Sequence, residues 1–117
     1  MSYQQTFKAF KLSLEELQLA GSQANPDAPS LQSHFLEVQQ TFQRQILTFA
    51  DTTLEAVEQS RIQAYCTEMN KQMRLLGMDI VFLQAARQPV TVQGRQAQIR
   101  DRIKRLIDYC KAVLGEA

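Results

Sequence analysis

From Leu54 to Arg87 one helical periodicity persists: Ile62, Cys66, Met69, Met73, Leu76, Ile80 and Leu83 recur at steps of three and four residues. That spacing puts all seven on one face of an α-helix. Only Gly77 interrupts the run, and Pro89 stops it, because proline lacks an amide hydrogen and disfavours helix in the residue before it. At 1.5 Å per residue the segment is roughly 50 Å long. It predicts the spine of an antiparallel helical bundle.

Three other segments show the same spacing. Tyr3, Phe7, Phe10, Leu14 and Leu17 mark a first helix. Ser13 and Glu16 resemble a capping box, so a start near residue 13 is the rival reading; the longer helix is preferred because the stripe runs through Ser13. Leu31, Phe35, Val38, Phe42, Ile46 and Phe49 mark a second, capped by Ser30 or Asp27 and ending near Asp51. Thr52 with Glu55 forms a capping-box pair that restarts the chain as the long third helix. Ile99, Ile103, Leu106, Cys110 and Val113 mark a fourth, with Thr91 as cap and a first turn weakened by Gly94. Between the first two helices, Gly21 to Pro29 is dense in loop formers, and Gly21 suits the left-handed position after a helix. Seventeen Gln, four Gly, three Pro and no Trp agree with helices rather than strands. The expected fold is all-α, a single domain over 1–117 built as an antiparallel bundle of about four helices.

Formal net charge is +1, so no global field draws the chain to nucleic acid or membrane. The distribution is polarised: residues 1–60 carry a balance of −4 and residues 87–117 one of +4. The longest aliphatic or aromatic run, Ile80 to Leu83, is far too short for a membrane span, and the N-terminus lacks the apolar core of a signal peptide. Two cysteines make neither a disulfide framework nor a zinc site. The expected compartment is the cytoplasm, with no cofactor and no metal.

No catalytic constellation is visible. His34 is the sole histidine and has no nameable nucleophile or acid partner, so a structural or surface role is the expectation. Cys66 and Cys110 lie on core stripes and read as small buried hydrophobes. Two features invite a binding role. The first is the basic cluster Arg87, Arg95, Arg100, Arg102, Lys104, Arg105 and Lys111. Arg100, Lys104 and Lys111 flank one side of the fourth helix's stripe, and Arg95 and Arg102 flank the other. Asp101 can pair with Arg105, and Asp108 with Lys104 or Lys111. The cluster is either a solvated face or a docking surface for an acidic partner. The second is an additional apolar stripe on the third helix, Leu75, Met78 and Phe82, continued by Ala85 and Ala86. It is either core, touching a neighbouring helix, or a partner or dimer face; core is the expectation adopted.

The stretch Thr67 to Arg87, TEMNKQMRLLGMDIVFLQAAR, with Gln88-Pro89, Arg95, Arg102-Ile103 and Tyr109-Cys110, resembles the heterocyst frequency control protein family, PatD, of filamentous cyanobacteria. The likeness extends to the aromatic first helix and the Phe42 to Leu47 region. It implies a small cytoplasmic regulator, not an enzyme, that limits heterocyst frequency in differentiation and binds the cell-division protein FtsZ, promoting its assembly. Homo-oligomerisation is a further expectation. A nucleic-acid-binding module using the basic fourth helix is the alternative, weakened by the near-neutral chain and by the lack of aromatics other than Tyr109 in the cluster. A pocket-bearing enzyme or receptor is the third.

Overall fold

The computed structural model describes residues 2–21, 28–49, 51 and 53–116. Among them the chain forms four α-helices and no strand: α1 Tyr3–Gly21, α2 Ala28–Thr41, α3 Ala56–Ala85 and α4 Pro89–Leu114. α1 packs on α2 and α4, and α3 packs on the same two, so α1 and α3 sit diagonally in an up-and-down bundle. The bundle measures 51 × 22 × 19 Å, its length set by α3.

The main stripe of each helix faces the centre. Phe7, Phe10, Leu14 and Leu17 are fully buried on α1, so the helix does start ahead of Ser13, whose hydroxyl donates to the Phe10 carbonyl at 2.7 Å. Leu31, Phe35, Val38, Phe42 and Ile46 are buried on the second segment. That segment ends as a π-helical turn, Phe42–Ile46, in which the Leu47 amide donates to the Phe42 carbonyl at 2.9 Å. Phe49 then packs edge-on against Phe7 at 5.9 Å. On α3 the whole main stripe is buried except Cys66, which is half-buried.

The helix ends depart from several expectations. Gly21 is the last residue of α1, not a left-handed residue beyond it; its Cα faces Leu31 and Ile103, 3.7 and 4.0 Å from where a Cβ would stand. Ser30 lies inside α2, which already begins at Ala28. The expected caps Asp27 and Thr52, and the interior of the expected loop, lie outside the described residues. Ahead of α3, the Asp51 carboxylate accepts from the Thr53 amide (3.0 Å) and hydroxyl (2.5 Å), an Asx-type turn. The Gln59 amide side chain donates to the carbonyls of Asp51 and Leu54, both at 3.0 Å, and fastens that turn to the helix. Thr91 is not the α4 cap. Ala86 and Gln88 are extended, as residues leading into Pro89 are, and Pro89 itself opens α4 in the position where a missing amide costs nothing.

The far end of α4 closes on Gly115 at φ 73°, with the Glu116 amide donating to the Lys111 carbonyl at 2.8 Å. Arg61 of α3 donates to the Ala112 and Val113 carbonyls at 3.0 and 3.1 Å, satisfying acceptors that the helix end leaves open.

Candidate docking surfaces

The basic cluster of α4 divides in two. Arg95 and Arg102 are one heptad apart and face α3. Arg102 Nε donates to the Asp79 carboxylate, its Nη1 donates to Gln72 Oε1 at 3.2 Å, and Arg95 Nη1 reaches the other Asp79 oxygen at 3.5 Å. Asp79 and Gln72 are the buried charged and amide side chains of α3. A buried carboxylate is tolerated only with partners, and these two arginines supply them. Arg95 also lies over the Phe82 ring, 4.7 Å from its centroid. Both residues are therefore committed to the α3–α4 seam.

Arg100, Lys104 and Lys111 project from the opposite flank of α4. Arg100 and Lys104 are exposed, Lys111 half-buried, and none is in an ion pair among the described residues. Neither Asp101 nor Asp108 makes the pairs expected of it there. The row continues toward α1, where Lys11 holds Glu116 at 2.6 Å. That contact raises the Lys11 pKa and lowers that of Glu116, which also feels Lys8 and Lys111. Arg87 is exposed at the α3–α4 turn.

The second stripe of α3 is not core. Met78 and Phe82 are 52% and 45% exposed and Leu75 is half-buried. The reason is diagonal packing: α2 and α4 cover two sides of α3 and leave its outer side open. Val81, 54% exposed, joins the stripe, and the exposed cations Lys71 and Arg74 border it one turn earlier. Sequence reading missed Val81, Lys71 and Arg74 because it followed a single row of steps of three and four. It also missed Asp79 and Gln72, although their seven-residue spacing, matched by Arg95 and Arg102, was there to find.

His34 is half-buried, with no bonded acid or nucleophile among the described residues. Burial alone pushes the Cys66 thiol up to about 11, and burial chiefly pushes Cys110 up to about 12, the reverse of an activated thiolate. No group of three or more metal-ligating side chains occurs among the described residues, and none of the described helices is long and apolar enough to cross a membrane. A cleft of about 180 Å³ opens between the end of α2 and the start of α3, walled by Ile46, Phe49, Leu54, Ile62 and Cys66. Of its polar lining, Asp51 and Gln59 are engaged in the turn described above, and Gln63 completes it.

Comparison with known proteins returns no match, whether to family models, curated proteins or solved structures.

Proposed function

We propose that this chain is a non-enzymatic, cytoplasmic regulator that docks an acidic protein surface on the Arg100–Lys104–Lys111 row of α4. One observation carries the reading: two cations of the cluster are turned inward to share the buried Asp79 carboxylate, while this row stands unpaired on the other flank among the described residues. Unpaired cations in a row steer encounter with an acidic partner. The resemblance to the heterocyst frequency control family makes FtsZ the partner to test first, and heterocyst differentiation and cell division the setting. To promote assembly, the protein must bind the filament better than the free subunit, since a ligand shifts an equilibrium only by its differential affinity.

The test is co-sedimentation with FtsZ filaments. Arg100→Glu with Lys104→Glu leaves the fold intact, because both are exposed, and weakens binding at least about tenfold, or about 1.4 kcal/mol. Wild-type binding also weakens as salt rises from about 50 to about 300 mM, where the Debye length falls to about 6 Å. Salt-insensitive binding untouched by the double reversal removes the site from α4. Binding to nucleic acid with a steep salt slope favours the alternative module instead.

A further inference from the structure

On α3, Lys71, Arg74, Met78, Val81, Phe82 and Ala85 fall within about 100° of arc directly opposite the core, at 100° per residue. Between Glu68 and Asp101 the sole acidic residue is Asp79, and it is buried between arginines. From Lys71 onward this outer face is thus apolar and positive. α1 carries its complement. Leu12 and Leu19 are 61% and 71% exposed, with exposed Glu15 and Glu16 between them. Those four also share an arc of about 100° opposite the α1 core. Exposed leucines one heptad apart with two acids between them form a ridge that matches the apolar and cationic groups of α3.

We infer that the protein self-associates head to tail, with the Leu12–Glu15–Glu16–Leu19 ridge of α1 seated on the Lys71–Arg74–Met78–Val81–Phe82 face of α3 in a second copy. A parallel alignment of the two helices sets Lys8 against Glu68, Leu12 beside Lys71, Glu15 and Glu16 beside Arg74, and Leu19 between Met78 and Phe82. Because α1 and α3 sit diagonally, ridge and face point away from each other. One molecule cannot join its own two surfaces, and two molecules cannot satisfy both pairs at once. The contact is heterologous and propagates as an open chain. Two helices meeting over about three turns make a small interface, so association is weak and concentration-dependent. The surfaces are separate from the α4 row, which a chain of copies presents repeatedly, giving the avidity that bridging filament subunits requires.

The experiment is sedimentation velocity of the full chain from about 10 to about 500 µM at low salt, a range suited to weak interfaces. Wild-type mass rises with concentration and passes that of a dimer. Leu12→Ser with Leu19→Ser blinds the ridge; Met78→Ser with Val81→Ser blinds the face without touching the Arg95–Asp79 contact. All four positions are exposed, and unchanged melting confirms that the variants fold. Each variant alone associates at least tenfold more weakly than wild type. Mixed, they recover one intact ridge and one intact face, and their mass rises to that of a dimer and stops. A wild type that stays monomeric, or saturates at a dimer, or blinded variants that fail to pair when mixed, overturns the inference. The α4 reversal leaves self-association intact, so this result and the FtsZ assay fail independently.

Discussion

Asp79 shows how much one residue decides in this molecule. It is 4% exposed, faces Arg102 and Arg95, and converts two apparent docking cations into structural ones. Removing a carboxylate from a buried pair leaves an uncompensated charge. Asp79→Ala is therefore expected to cost about 3–5 kcal/mol in urea denaturation, since Arg102 has little solvent to turn to; a loss under about 1 kcal/mol means that the seam is solvated. Cys110 gives a pH dependence. Its thiol is pushed up to about 12 in the fold, while the unfolded thiol ionises near its ordinary value. The native state keeps a proton that the unfolded state releases. The contribution is complete below about pH 8.5 and is lost as pH rises toward 12, at most about 1.4 kcal/mol per unit. Wild type should lose about 1 kcal/mol more than Cys110→Ala between about pH 9 and pH 10, read as the difference of two denaturation series. Lysines and tyrosines titrate in both proteins and cancel.

At the scale of the element, α3 works on three sides at once: an apolar side into the core, a polar side clasping α4, and an outer side open to partners. Gly77 belongs to the contact with α2. A Cβ there would stand 3.1 and 3.2 Å from two ring atoms of Phe35, itself 5% exposed. Gly94 on α4 has nothing within 4 Å. The two glycines therefore respond oppositely. Gly77→Val overpacks the α2–α3 contact and costs about 1–3 kcal/mol. Gly94→Ala removes chain entropy and gains about 0.5–1 kcal/mol. Thermal melts should move in opposite directions, and a stabilised Gly77→Val would show that Phe35 yields freely. The stripes were legible in the sequence because burial imposes a 3.6-residue period on any helix that packs on one side. The ends were less so. Thr91 has a cap's chemistry, but Pro89 two residues earlier already satisfies the start, and the Asp51 turn competes with the expected capping pair.

Across the whole molecule, order is distributed unevenly. No residue between Leu83 and Ile99 is buried, so the α3–α4 tip lies at the edge of the core, against which Val92 packs half-buried. Local opening free energy follows buried contact. Amides from Ala86 to about Gln98 should exchange with deuterium far faster than those from Ile62 to Leu83, apart from any held by the Arg95 contact. Equal protection along both stretches would mean that the tip is packed against something, and self-association at the concentration of the measurement is the first candidate; dilution tests it. The charge polarity read from the sequence persists, but in altered form. Two cations of the positive end, Arg95 and Arg102, are turned inward to Asp79, and the acidic end carries exposed leucines beside its glutamates.

The sequence by itself determined that the chain is helical, roughly where its helices run, and that the main stripe of each meets in the core, because these follow from local periodicity and from the cost of leaving a stripe in water. It also located the cations and the second stripe of α3. Only the tertiary structure decided what those groups do. Whether Phe82 is core or surface depends on where α2 and α4 lie around α3. Whether Arg95 and Arg102 are free depends on which α3 residue stands opposite them across the seam. Both are facts of packing between segments distant in the chain, and a periodicity carried by one helix contains no record of its neighbours' positions.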